Sequence, residues 1–546
     1  MSHELAELLF SDVKETIKDL EERYPLRSTK GEVTRFAPSP TGFLHTGSLF
    51  TTLVGYTVAK QSKGVFYVRL EDTDTKREIV GSGKELLKQL DFFGLTPDEG
   101  YTYKGEKGNY GPYQQSNRAS IYRVVIKELV RLGLAYPCFC THDELEEIRE
   151  KQNELKVRPG YYASYAKCRD LSFAQIKENI AKGLSYIIRF KSFGDFERKI
   201  EVDDLIRGHL LLSENDQDIV ILKGDELPTY HFAHLVDDHF MRTTIVSRGE
   251  EWLPSLSLHL QLFNSLNWQA PRYAHLPVIT KLENGNKRKL SKRKDNEAAV
   301  SYFIELGYPK ESILQYLMTI ANSNFEEWKQ GNPLADRSEF VFSFEKMSLD
   351  GALFDLAKLQ NISKNYLAYL NKKTFTDYAL DYALLYDTKL LELIKRDRNY
   401  FESIINIERE KENPRKDYEK FSDLFNSVTF FYKDYYDFDI EVLKDLKAYP
   451  YIKDILNLYL ADLFLEMDEN YWFSKVKELG ESLGFASNVK DYKKNPLNYK
   501  GHIGDICETI RRVISGRKQT PNLFQTLTIL GQETIKERIN KVLNIL

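Results

Sequence analysis

Cysteine is scarce, with 4 in 546 residues. So few thiols exclude the disulfide scaffold of a small secreted protein, and reduced thiols in a cytoplasmic protein are the expectation. No run of about 18 apolar residues occurs, which excludes a helical membrane span. The start, Met1-Ser2-His3-Glu4, stays acidic through Glu21 and Glu22. A secretory signal needs a basic start and an apolar centre, so none is expected. Neither sign of charge dominates: 77 Lys+Arg against 81 Asp+Glu leave a net charge of −4. A polycation that coats nucleic acid in bulk is thereby excluded, whereas a basic patch on one face is not. Tandem repeats and low-complexity tracts are missing as well.

What is present is a folded composition, 42% hydrophobic and 29% charged, long enough for two to four domains. Residues 4–23 place Leu5, Leu8, Leu9, Val13, Ile17 and Leu20 at the spacing of one amphipathic helix, an appended element in residues 1–32 with packing as its expected role. From 33 to about 135, strand and helix patterns alternate, as in βαβ units on a parallel sheet. Residues 136–215 break that pattern, hold three of the four cysteines and read as an insertion. The alternation resumes near Asp218-Ile219-Val220-Ile221-Leu222 and carries the second half of the α/β domain over 216–275. After about 280, helical patterns dominate.

Three stretches carry chemistry. Residues 35–48 read Arg-Phe-Ala-Pro-Ser-Pro-Thr-Gly-Phe-Leu-His-Thr-Gly-Ser. Pro38 and Pro40 stiffen a turn between a strand and a helix starting near Ser48, and Gly42 and Gly47 let backbone approach a ligand. A helix N-terminus after such a turn is an anion site, and His45 stands where it can donate to a phosphate. Residues 281–294 hold seven basic side chains and one acidic one. With glycine and asparagine among them, they predict a mobile loop that clamps a polyphosphate, against the plainer reading of a solvated charge run. Third, Arg69-Leu70-Glu71-Asp72-Thr73-Asp74 follows a strand, where acidic groups face the ligand crevice of a parallel sheet. Glu71 is the choice for an α-ammonium group, with Asp74 in support.

The first two stretches together resemble the HIGH and KMSKS signatures of class I aminoacyl-tRNA synthetases. His45-Thr46-Gly47-Ser48 and Lys289-Leu290-Ser291-Lys292-Arg293 correspond to them in the glutamyl form. Residues 228–252, with Tyr230, His234, Arg248, Glu251 and Trp252, resemble the second half of that family's site. The resemblance implies a Rossmann-like α/β catalytic domain (33–135 and 216–275). It also implies an inserted subdomain binding the tRNA acceptor end (136–215), a stem-contact domain with the lysine loop (276–375) and a mainly α-helical anticodon-binding region (376–546). It implies that glutamate meets Arg35, Ala37, Ser39, Glu71, Tyr230, His234 and Arg248. ATP, with Mg²⁺, meets Pro38, Thr41, Gly42, His45, Gly47, Ser48, Glu251, Trp252, Lys289, Leu290, Ser291 and Lys292. His45, Lys289 and Lys292 are the implied catalytic groups. Two guanidinium groups suit a side-chain carboxylate, since they pair with it in bidentate fashion.

The implied activity is glutamate–tRNA ligation, with tRNA(Glu) and ATP as partners, no membrane, and a monomer. The alternatives are a glutaminyl-tRNA synthetase, which usually carries a β-barrel anticodon region, and an inactive tRNA-binding relative. Some glutamyl-tRNA synthetases hold zinc on Cys-x-Cys and Cys-x-His in the insertion. Here Cys138, Cys140 and Cys168 supply three ligands, and Tyr165, Asp170 or His142 is left as the fourth.

Overall fold

The computed structural model describes residues 2–40, 42–74, 79, 81–291, 293–463, 465 and 468–546. The chain divides into two compact units, 1–302 with 314–355, and 303–313 with 356–546.

In the first unit the N-terminal segment forms two helices, α1 (Ser2–Leu9) and α2 (Ile17–Arg23), instead of the single helix expected. A capping box between Thr16 and Asp19 starts α2 afresh, so the apolar periodicity continues across a break. Leu5, Phe10, Leu20 and Tyr24 are buried in the same core as Ile121, Val125 and Phe240.

Strand β1 (Val33–Phe36) is buried along its whole length, as a strand covered on both faces must be. It feeds through the proline turn into α3 (Thr46–Gln61), and β2 (Val65–Val68) returns parallel to it. Helix α4 (Ser82–Phe92) leads to β3 (Glu99–Thr102), again parallel, and β4 (Gly105–Lys107) closes that sheet antiparallel. Helix α5 (Ala119–Arg131) leads into β5 (Ala135–Cys138), and α6 (His142–Glu154) and α7 (Phe173–Ala181) follow.

The next strands are β6 (Ile187–Phe190), the hairpin β7 (Lys199–Asp204) and β8 (Gly208–Ser213), and β9 (Val220–Leu222). Strand β9 pairs antiparallel with β6 and completes the sheet β5-β6-β9. The run at 218–222 therefore closes the inserted sheet instead of resuming the parallel one. A three-residue apolar strand carries no signal of which sheet it joins. The β7–β8 hairpin docks on the later sheet, Asp204 pairing with Tyr273.

Helix α8 (Tyr230–Phe240), β10 (Ile245–Gly249), α9 (Leu256–Ser265) and β11 (Arg272–Leu276) form the second parallel half. The backbone N–H of Thr244 donates to Val33 O at 2.9 Å, setting this half beside β1.

The lysine-rich stretch is a β-hairpin followed by a turn, not a loop throughout. Strands β12 (Ile279–Glu283) and β13 (Asn286–Lys289) are joined by Asn284 and Gly285 alone. Their φ values of 51° and 82° are those of the tight turn whose twist matches a hairpin. Strand β14 (Ala352–Leu353) adds to β12 in parallel.

The second unit is helical, with one core that includes Phe375, Leu390, Ile404, Trp472, Ile506 and Leu527. Phe430, Phe431 and Tyr432 are part of that core, so these aromatics pack instead of presenting faces for stacking.

Candidate functional site

The carboxyl ends of β1, β2, β10 and β11 converge with the N-terminus of α3 on one cavity of about 960 Å³. In an open parallel sheet this is the place for a ligand. Arg35, Ala37 and Ser39 line it from the first turn, and His45, Gly47 and Ser48 from the start of α3. Glu71 and Asp74 line it after β2. Tyr230, Arg248, Glu251 and Trp252 come from the second half, and Lys289 and Leu290 from the hairpin.

The α3 terminus is built by His45 itself. Its Nδ1 accepts the Gly47 N–H at 2.9 Å. A neutral ring that accepts at Nδ1 carries its proton on Nε2. Gly47 suits this cap, because a Cβ there would lie 3.2 Å from Nδ1. The turn is tied to the chain beyond the hairpin: Thr46 Oγ1 donates to Glu297 O at 2.6 Å, and His45 bridges to Ala299. The hairpin's positive charge is partly used in structure. Arg288 forks onto Asp295 at 2.6 and 2.8 Å, and Lys281 pairs with Glu297 at 3.0 Å. Lys289 faces Glu251 at 3.3 Å.

Behind Arg35 and Glu71 lies a buried charge cluster. Asp238 accepts from Arg35 Nε at 3.1 Å and from Arg69 Nη1 at 2.7 Å. Arg69 Nη2 donates to Glu71 at 3.0 Å, and Arg118 Nε to Asp237 at 2.6 Å. Against the cost of burial, Arg35 and Arg69 hold the Asp238 carboxyl well below the usual range. Burial wins at Glu71, whose carboxyl is pushed up despite Arg69 and Arg35.

Residues 32–361 match the family of class I tRNA synthetases (E and Q), catalytic domain, and residues 375–543 match an anticodon binding domain. The chain belongs to the class I tRNA synthetases of this group. A glutamate–tRNA ligase of Clostridium perfringens (strain 13 / Type A) is 45% identical over 99% of this chain and 100% of its own length. That of Sorangium cellulosum is 39% identical over 98% of this chain and all of its own. The crystal structure of a glutamate tRNA ligase from Elizabethkingia meningosepticum, in complex with its amino acid, superposes with a TM-score of 0.75. Its sequence identity is 27%, over 95% of this chain and all of that one.

Four expected residues of the synthetase do not line the cavity. His234 is fully buried, its Nε2 3.0 Å from the Tyr273 hydroxyl and its Nδ1 2.8 Å from Asp238. It lies one layer back because its position on α8 turns it toward the core. Pro38 is buried, and its carbonyl accepts the Glu71 N–H at 2.9 Å. Gly42 and Ser291 are the other two, and the Ser291 N–H donates to Asp295. Thr41 and Lys292 lie outside the described residues.

Sequence reasoning missed Gln115, Lys223, Asp225 and Ser247, which share the lining. It also missed His259 and His275, which hold Arg248. Arg248 Nε donates to His275 Nε2 at 3.0 Å, and its Nη1 meets His259 Nδ1 at 3.1 Å. Nothing local in the sequence ties three residues so far apart.

The insertion brings Cys138, Cys140 and Cys168 together, their sulfurs all within 4.8 Å. The fourth group is Tyr161, whose hydroxyl lies 3.4 Å from Cys138 Sγ and 3.2 Å from Cys140 Sγ. Cys140 and Cys168 are 3.6 Å apart. A tetrahedron with Zn–S bonds of about 2.3 Å has sulfurs about 3.8 Å apart, so the set fits the ion. Of the expected fourth ligands, Asp170 pairs with Lys191 at 3.0 Å, and no His, Asp or Glu among the described residues, His142 included, joins the three sulfurs; Tyr165 packs against the same cysteine cluster, with its ring edge on Tyr162. The Tyr161 signal was an aromatic seven residues before Cys168, outside any familiar ligand spacing.

Proposed function

We propose that the chain is a glutamate–tRNA ligase. One observation carries the reading: a single cavity holds two guanidinium groups, Arg35 and Arg248, beside one buried carboxylate, Glu71. That is the charge complement of an amino acid with a carboxylate side chain. The names of the relatives support the same substrate.

The reaction has two steps. A glutamate carboxylate oxygen attacks the α-phosphorus of ATP, a P–O bond forms, and pyrophosphate leaves. A hydroxyl of the terminal adenosine of tRNA then attacks the acyl carbon, and AMP leaves. The protein supplies position and charge. Arg35 and Arg248 grip the carboxylates, with Tyr230, Ala37 and Ser39 completing the wall, and Glu71 takes the α-ammonium. The Nε2–H of His45 and the Ser48 end of α3 meet phosphate oxygens, joined by Lys289 and Lys292. Glu251 and Trp252 meet the nucleoside, and Mg²⁺ accompanies the ATP. His234 acts from behind, through Asp238.

The inserted subdomain takes the acceptor end, and the helical unit takes the anticodon. A structural zinc on Cys138, Cys140, Cys168 and Tyr161 would cross-link the insertion. No helix of the described residues is long and apolar enough to cross a membrane. The reading takes the enzyme as a monomer working in the cytoplasm. Charging of tRNA(Glu) and tRNA(Gln) transcripts with labelled glutamate, and with glutamine in parallel, tests the reading. Label from glutamate alone is expected, and the tRNA(Gln) lane reports whether that tRNA is also charged. Label from glutamine would make the protein a glutaminyl enzyme, and no label from either would leave a tRNA-binding relative.

A further inference from the structure

Arg248 is held in a way that Arg35 is not. Asp238 touches Arg35 directly. Arg248 is 5% exposed and takes part in no ion pair among the described residues; two ring nitrogens, the Tyr230 hydroxyl and the Trp252 carbonyl, at 3.4 Å, receive its N–H groups.

The hydrogen-bond chemistry fixes the state of those rings. A guanidinium only donates, so His275 Nε2 must be a bare acceptor. A carboxylate only accepts, and Asp204 Oδ2 lies 2.7 Å from His275 Nδ1, so Nδ1 carries the proton. His275 is therefore a neutral ring with a defined tautomer. His259 Nδ1 faces Arg248 and must accept as well, which leaves His259 Nε2–H to donate to His231 Nδ1 at 2.9 Å. The rings agree in their acidities: burial pushes all three down, His231 to about 4, with the charge of Arg248 adding to it. Asp204 is fixed in turn, since its Oδ1 accepts from the Ile206 and Arg207 N–H groups at 3.0 and 2.9 Å.

We propose that Asp204, His275 and His259 are positioning residues that hold Arg248 through neutral imidazoles, so that its charge stays uncompensated until a substrate carboxylate arrives. This rests on the reading of Arg248 as a glutamate-binding group. The arrangement sets the preference for glutamate over glutamine, because an amide cannot supply the missing negative charge.

Asp204→Asn tests the tautomer. The Ile206 and Arg207 N–H groups keep the Asn carbonyl in the place of Oδ1 and turn its NH₂ toward His275, whose backbone N–H, 3.1 Å from Oδ2, loses its acceptor there. Nδ1 must then accept, the ring proton moves to Nε2, and a donor faces the donor of Arg248. A His–Asp pair that loses its carboxylate is known to fail in this way. In aminoacylation assays the KM for glutamate should rise about 10- to 100-fold, the worth of one charge-assisted hydrogen bond. The KM for ATP should stay within threefold. His275→Gln should keep the glutamate KM within about threefold, since its carbonyl accepts from Arg248 and its NH₂ donates to Asp204. His275→Leu, with neither group, should not. A parallel rise in both KM values, or a Gln variant as impaired as the Leu variant, overturns the proposal. Should Asp204→Asn fail to fold, the Gln and Leu pair decides alone. Arg248→Ala separates the two readings. If it leaves the glutamate KM unchanged, the assignment of Arg248 falls; if it raises it while Asp204→Asn does not, only the present inference falls.

Discussion

Asp238→Asn removes one charge from the cluster beneath the cavity and little else. The cluster has three guanidinium groups, Arg35, Arg69 and Arg118, and three carboxylates, Glu71, Asp237 and Asp238. Its charges balance, and Asp238 is fully buried. An Asn carbonyl can still accept from Arg69 in place of Oδ1, with the NH₂ turned toward His234 Nδ1. Arg69 retains Glu71 at 3.0 Å and Asp237 at 3.6 Å, so Arg35 is the group left without a counter-charge. Stranding one buried charge costs about 3 kcal/mol or more. The α/β unit spans about 340 residues. At about 2.1 cal/mol/K per residue its unfolding entropy is near 0.7 kcal/mol/K, so its transition should fall by about 4 °C. Differential scanning calorimetry at pH 7 reads this directly. Because Asp238 titrates well below 3.8 in the folded protein, its contribution is full above that pH and is lost as pH falls below it. The gap between parent and variant should therefore be constant from pH 8 to 5 and narrow under pH 4. A melting temperature within 1 °C of the parent at pH 7, or a gap that widens on acidification, would refute the charge-balance argument.

Three further outcomes follow from other parts of the chain. Lys292→Ala should lower kcat by about 10²–10³, the usual loss for one donor to a developing charge, while the glutamate KM moves little; stopped-flow and steady-state rates separate the two, and a KM-only effect contradicts the role. Protein purified without added zinc should carry close to one equivalent by mass spectrometry of the metal; Tyr161→Phe should weaken retention against a chelator, and a content under about 0.2 equivalents rules the site out. Phe10→Ala, emptying a buried position of the N-terminal segment, should cost about 3–5 kcal/mol and lower the α/β transition by roughly 4–7 °C, without moving the glutamate KM.

The proline turn and the acidic turn after β2 were legible because their features lie in consecutive residues. The strand, the prolines, the capping His45 and the helix are all local, and so is the strand-end position of Glu71. The hairpin was legible in principle. Asn284-Gly285 is a hairpin-turn dipeptide, but without alternating hydrophobics on either side it reads equally as the loop expected there. The assignment of β9 failed for want of length, since three apolar residues fit either sheet. His234 is on the wall only by the family resemblance; the turn of α8 from Tyr230 carries it one layer inward, to Tyr273 and Asp238. Tyr161, His259 and His275 were out of reach, because their partners are set by tertiary packing alone.

The two arginines divide one task. Glutamate carries two carboxylates and one ammonium group, a net charge of −1, while glutamine is neutral overall. A site with every charge matched internally would bind both by hydrogen bonds and reject neither. Here Arg35 and Glu71 belong to a balanced cluster, so they orient a ligand without favouring a charged one. Arg248 is the guanidinium without a carboxylate, and Asp204 stands one imidazole removed from it. Its surplus positive charge equals the net charge of glutamate with the sign reversed. A buried guanidinium left unpaired by the wrong ligand carries the desolvation cost of an isolated charge, which is how polar sites reach selectivities of about 10⁴. On this argument the selectivity lies less in the number of arginines than in the neutrality of the rings behind one of them. Adding a carboxylate there, as in His259→Glu, should lower the glutamate/glutamine preference by weakening glutamate, and an unchanged preference in charging assays would show that the surplus charge is not what discriminates.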